Sequence, residues 1–186
     1  MTVEEIFKKI ATHMVEGLMF HDHMGDYYMF LGLNGYSRCH EYHFFEENAA
    51  YHSIKHFYMK KYRKFLTEDK PTEPQVIPAT WRQYAIEQVD INTKRNGIKT
   101  GIESWVKWET DTQKLYEELY RQLITINEIE ASMYVKKLIV DVSNELEYAH
   151  YKHIYLKSID YDLVAIMEAQ EKTEKECNKK IEKLEL

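Results

Sequence analysis

The stretch "TEDKPTEPQVIPAT", residues 67–80, holds all three prolines of the 186-residue chain and decides how the rest is arranged. Proline lacks a backbone N–H and clashes with the preceding helical turn, so no helix runs through this segment. Upstream, Thr2 and Glu5 match a capping box, which starts a helix near residue 3. Its apolar stripe passes through Ile6, Ile10, Met14, Gly17, His21, Met24, Tyr28 and Leu31 in steps of three and four. "GLNG" at 32–35 ends it, and Ser37 can cap a second helix reaching about Leu66. Downstream, "TKRNG" at 93–97 reads as a turn that closes a short helical piece near Trp81–Val89. Thr100 and Glu103 then begin a third helix over about 101–126, and Asn127 with Glu130 caps a fourth. The fourth carries Val135, Leu138, Val142, Leu146, Ala149, His153 and Leu156 on its stripe.

The connections set the topology. The first and second helices are joined tightly, as are the third and fourth. Each of the first two is about 45 Å long at 1.5 Å per residue. The link over about 67–100 can cover that length at roughly 3.3 Å per extended residue. The pattern short, long, short predicts an all-α bundle of four helices with one crossover. Residues 1–186 read as a single domain, with a core at about 3–158 and a helical extension at about 159–186. In that extension Leu163, Ile166, Gln170, Thr173, Cys177, Ile181 and Leu184 keep coiled-coil spacing. The polar Gln170 and Thr173 predict a solvated extension for residues 168–186, with an oligomer contact as the alternative.

Composition excludes several function classes. The net charge is −6 without a long basic block, which argues against nucleic-acid binding; Lys60, Lys61, Arg63 and Lys64 form only a small solvated patch. No apolar run reaches membrane length, and the N-terminus reads as a helix start rather than a signal peptide. Cys39 and Cys177 match no CxxC pattern, so free thiols in a reducing cytoplasm are expected. Neither a GxSxG elbow nor a phosphate-cradling glycine loop occurs. The 15 tyrosines suit interhelical packing and identify no activity.

"HEYHFFEENAAYHSIKH", residues 40–56, concentrates metal-ligand side chains in one unbroken helical stretch. Phe44, Tyr51, Ile54 and Tyr58 recur at helical spacing and are expected to face the core. On that phase His40 and His56 lie toward the rims and His52 is the histidine near the bundle centre. His21, on the stripe of the first helix, reads as a neutral core histidine bonded to a tyrosine.

With this architecture the chain resembles the ferritin-like superfamily over about residues 3–158. "IESWVKWETDTQKLYEEL" (102–119) is similar to a ferritin third helix, and "EASMYVKKLIVDVSNELEYAH" (130–150) to the start of a fourth. The resemblance implies metal ligands on each helix, one Glu from each of two helices and Glu-x-x-His from each of the others. It places Glu16 on the first helix and His52 on the second, within "AAYH", where Ala49 takes the glutamate position. Glu109 lies on the third helix, although the alignment favours Thr112. Glu147 and His150 form the Glu-x-x-His of the fourth, whose strongest stripe carries Glu145 and His153 instead. Glu46 or Glu47 could replace the missing carboxylate, with His43 and Glu47 one turn apart. The resemblance implies iron or manganese as cofactor, a ferroxidase-type oxidase or a metal-storage protein as function, and a homo-oligomer as assembly. The incomplete motif favours a noncatalytic structural or interaction bundle.

Overall fold

The computed structural model describes residues 1–74, 76, 77 and 89–184. Five helices account for most of them: α1 Val3–Phe30, α2 Asn34–Tyr62, α3 Ile91–Thr125, α4 Ile129–Ser158 and α5 Leu163–Leu184. Among the described residues there is no strand. The capping box forms as read: Glu5 N donates to Thr2 Oγ1 at 3.2 Å, and Thr2 N donates to Glu5 Oε2 at 2.7 Å. Gly32 turns the chain at φ 75, and α2 starts at Asn34, three residues ahead of the expected Ser37 cap.

Two further boundaries differ from expectation. α3 begins at Ile91, where the Asp90 side chain accepts from Asn92 N and Thr93 N at 2.8 and 3.0 Å. The Asn96–Gly97 pair therefore lies inside α3 and makes no turn. Close helix approach is the reason for the glycine at 101. Tyr27 donates its hydroxyl to Gly97 O at 2.7 Å, and a Cβ on Gly101 would come within 2.8 Å of Tyr28 Oη. At the other end, Asn127 is left-handed at φ 60 and ends α3 rather than capping α4. Residues 81–88 of the short helical piece expected at Trp81–Val89 lie outside the described residues, as do residues 78–80 of the crossover.

The described part of the crossover runs along α1. Asp69 N donates to Thr12 Oγ1 at 2.9 Å, Thr72 N donates to Glu16 Oε1 at 2.8 Å, and His23 Nδ1 meets Pro74 O at 3.2 Å. The chain thus climbs from near the start of α1 toward its end. α3 then descends beside α1, since Tyr27 meets Gly97, Phe20 stacks on Trp108 and His13 bonds Thr112. α1 and α2 form an antiparallel hairpin, so α2 and α3 are parallel, as the connection lengths predict.

The apolar core falls into two halves. One gathers Phe20, Met24, Tyr27, Tyr28, Ile102, Trp105 and Leu156. The other gathers Ile6, Phe7, Ile10, Ile54, Leu119, Leu123 and Val135. Between them lies a layer of histidines and carboxylates.

α5 packs where a solvated extension was expected. Ile166, Gln170, Thr173, Cys177 and Ile181 are all buried. The two polar residues that interrupt the stripe have specific partners. Gln170 Oε1 accepts from Gly35 N at 3.2 Å, and Thr173 Oγ1 accepts from Lys152 Nζ at 2.8 Å. A Cβ on Gly35 would sit 2.2 Å from Gln170 O, so only glycine admits this contact. Gly35→Ala should therefore force α5 away from α2. Overpacking of this kind costs about 2 kcal/mol, which at this chain length lowers the thermal midpoint by roughly 4–8 °C. Circular-dichroism melting against wild type checks this.

Candidate metal centre

The polar layer is built from one face of each core helix. On α2, Tyr36, His40, His43, Glu47, Ile54 and Tyr58 fall within about 60° of one another at 100° per residue. This is the buried face: Tyr36, His40, His43, Ile54 and Tyr58 are all buried. Relative to Tyr36, His52 lies about 160° round the helix. It is exposed, beside Lys55 and His56 at a small surface cavity. Thus His40, expected at a rim, is fully buried, and His52, expected at the centre, faces outward. The half-buried Phe44 and Tyr51 turn the expected stripe only about 30° from the buried face; His40 falls within that stripe, whereas His52 lies about 80° beyond Phe44 at its edge.

Three imidazoles and four carboxyls meet in the layer. His21 Nδ1 and His40 Nδ1 are hydrogen-bonded at 2.9 Å, so one ring donates and the other accepts. His21, expected to bond a tyrosine, bonds this histidine instead. The His21 ring also stacks on His43, with centroids 5.3 Å apart. Trp105 donates Nε1–H to Glu109 Oε1 at 3.0 Å, and that oxygen lies 3.7 Å from His21 Nε2. His43 Nδ1 lies 3.3 Å from Glu46 Oε2 and 3.6 Å from Glu145 Oε2. Tyr42 donates its hydroxyl to the other Glu46 oxygen. Glu47 folds back against Gly17, where a Cβ would sit 3.2 Å from its carboxyl carbon.

Two triads could each hold a cation: His21, Glu109 and Glu145, and His43, Glu46 and Glu145. Within each, one ligand atom per residue lies within 4.8 Å of the others. Glu145 is common to both. His21 Nε2, both ring nitrogens of His43 and Glu145 Oε2 are buried without a hydrogen-bond partner. Burying unpaired polar atoms is costly, and a divalent cation would give the carboxylate oxygen and one nitrogen of each ring a partner. Two cavities reach the layer. One of about 310 Å³ is lined by Glu46, Glu47 and Glu145, and one of about 300 Å³ by His21, Asp22 and Glu41.

Of the five residues that the sequence suggested as ligands, the structure brings Glu109 into this layer. Glu16 binds the crossover through Thr72 N and pairs with His13 Nδ1 at 3.5 Å; the His13 contact holds its carboxyl below the usual range. His52, Glu147 and His150 are exposed. Glu147 lies two residues, about 200°, from Glu145, which turns it to the outer face of α4. Glu46 and Glu47, the expected replacements for the missing carboxylate, are both in the layer, as are His43 and the Glu145 of the α4 stripe. The signal that locates them is the phase of α2 read from Tyr36 onward, together with the stripe of α4 that includes Glu145.

Burial dominates the electrostatics. It pushes the Glu145 carboxyl up to about 7 and, with the Glu46 charge, Glu47 up to about 8. Burial and the charges of Glu145 and Glu47 raise Glu109 well above the carboxylate range. Burial lowers His21 and His40 well below the imidazole range, so both rings are neutral.

No family model and no curated protein matches the sequence. Solved structures do. A humanized archaeal ferritin superposes with a TM-score of 0.73 at 14% identity, covering 92% of this chain and 94% of that one. A closed form of the Archaeoglobus fulgidus ferritin, engineered by site-directed mutagenesis, gives 0.72 at 13% identity over 94% and 96%. A PmFTN variant soaked in iron gives 0.70 at 10% identity over 90% and 96%. The chain has the ferritin-like fold.

The raised carboxyl pKa values fix a pH dependence. Between about pH 4.3, the unfolded Glu value, and the folded values of about 7 and 8, the native state holds protons that the unfolded state has released. Stability therefore falls as pH rises through that window. His21 and His40 act oppositely, but only below their unfolded pKa of about 6.5. Metal-free protein should lose thermal stability from about pH 6.5 to 8, and Glu47→Gln with Glu145→Gln should flatten the decline. Melting curves in chelator across this range test it.

Proposed function

We propose that the protein binds divalent iron in the polar layer and acts as a ferritin-like iron-handling protein. The observation that carries this reading is the sharing of Glu145 by two triads of buried and partly buried ligand groups. A carboxylate common to two sites suits a pair of ions held close together. Bound iron supplies redox chemistry toward dioxygen. The residues of the chain supply geometry and proton handling. His40 orients His21: for the Nε2 lone pair to face Glu109, the proton must lie on Nδ1, where His40 Nδ1 accepts it at 2.9 Å. Trp105 fixes the Glu109 carboxyl in the same way. Carboxyls held protonated by burial release those protons when a cation replaces them, so affinity rises with pH.

A noncatalytic structural bundle is the competing reading. It accounts for the fold and leaves the unpartnered nitrogens and oxygens of the layer unexplained. Anaerobic titration with Fe(II), read by calorimetry and metal analysis, separates the two. Wild type should bind up to two ions per chain. Glu145→Gln should weaken both sites, while Glu109→Gln should weaken one. His52→Ala and Glu147→Gln should bind as wild type does. Wild type that binds no iron overturns the proposal in favour of the noncatalytic bundle. Parallel titration with Mn(II) reports metal preference.

Self-association is the reading best supported for the outer face of α4. Met133, Val140 and Ile154 recur within about 60° on that helix and are 67%, 52% and 67% exposed. An exposed apolar line of this kind marks an interaction surface. We infer a homo-oligomer built through this face. Sedimentation should report a species larger than the 22.4 kDa chain, and Met133→Glu with Ile154→Glu should shift it to monomer.

A further inference from the structure

The cavity between α4 and α5 lies outside the histidine layer, and nothing in the iron reading uses it. Its volume is about 500 Å³, within the range of roughly 300–1,000 Å³ typical of small-molecule sites. Tyr36, Tyr148, Tyr151 and Tyr155 line it, together with Lys152 and Thr173. Lys152 is the unusual member, being only 9% exposed. Its ammonium donates to Thr173 Oγ1 at 2.8 Å and lies 5.1 Å from the Tyr148 ring centroid and 5.9 Å from that of Tyr36. An ammonium carries three protons to donate, and among the described residues no carboxylate lies within ion-pair distance of this one. The nearby acidic residues do not fill that role. Glu168 and Glu176 are exposed at the mouth, and Glu176 is 3.8 Å from Lys172 Nζ.

Glu176 and the thiols of Cys39 and Cys177 attract this buried cation without bonding to it, and a cation buried with no bonded counter-charge is costly unless an anion joins it. Burial lowers the Lys152 pKa, which is the expected response of such a group. The surrounding rings favour a flat partner, because aromatic faces stack on planar groups and the tyrosine hydroxyls stay available for polar contacts. We propose that this cavity binds a small organic anion with a planar aromatic or conjugated body, its carboxylate on the Lys152 ammonium and its ring among the tyrosines. The site lies where α5 docks, so an occupied cavity also ties α5 to α4.

The probe is 2-naphthoate, with 2-naphthamide as its neutral isostere, each titrated into the full chain by calorimetry. Wild type should bind one 2-naphthoate. A charge-assisted hydrogen bond at Lys152 should make the amide roughly ten- to hundredfold weaker, and Lys152→Met should lose the preference for the acid. Ala165→Trp, which fills the cavity and leaves Lys152 in place, should abolish binding. Circular dichroism identifies any variant that does not fold. If Lys152→Met is one of these, Ala165→Trp decides, and unchanged binding there overturns the proposal. Equal affinity for the acid and the amide, unchanged binding by folded Lys152→Met, or no binding of 2-naphthoate at millimolar concentration each overturns it too. Iron titration is unaffected in either variant, so this result stands apart from that of the polar layer.

Discussion

Carboxyls and imidazoles held between two apolar halves form the constraint around which this bundle is arranged. Isolated charges there would cost far more than the folded state can spare. The layer responds by neutralisation. Glu47, Glu109 and Glu145 are shifted toward the protonated form, and His21 and His40 toward the uncharged one. Hydrogen bonds from Trp105 and between the two histidines hold three of these groups in place. Several lone pairs still lack partners, and this is what separates the layer from an ordinary buried polar network.

Glycines give the layer its shape. Gly17 leaves space for the Glu47 carboxyl to fold against α1, and Gly101 lets α3 press on Tyr27 and Tyr28. Gly35 does the same for α5 against α2. At each position a methyl group would meet another part of the chain at or inside close contact. The backbone spacing of the bundle is therefore set at a few residues that carry no chemistry themselves.

Much of the architecture was legible in the sequence. Prolines confined to one link, a capping box at Thr2 and stripes in steps of three and four were enough for four helices and a crossover. Boundaries were less legible where one residue type serves two purposes. Asn96–Gly97 has the chemistry of a turn, yet Gly97 serves an interhelical contact. Gln170 and Thr173 look like solvent-facing breaks in a stripe, yet each bonds a buried partner on another helix. The candidate site was harder still, because it depends on helix phase. On α2 the expected stripe already included His40 and left His52 about 80° beyond its edge, so the phase favoured His40 over the family position at His52. The motif likeness at Glu147–His150 pointed to the outer face of α4, while the apolar stripe already contained Glu145. Where the two signals disagree, the stripe follows burial and the short motif does not.

The crossover has a kinetic meaning as well as a topological one. α1 with α2, and α3 with α4, are hairpins whose contacts are local along the chain, and such units form quickly. The polar layer needs both hairpins at once, since His21, His43 and Glu46 come from one and Glu109 and Glu145 from the other. As separate molecules they would have to meet by diffusion. Tethered, each sees its partner at an effective concentration on the order of millimolar. The anchors at Thr12, Glu16 and His23 shorten the free part of that tether further. Assembly of the layer is thereby made independent of how dilute the protein is.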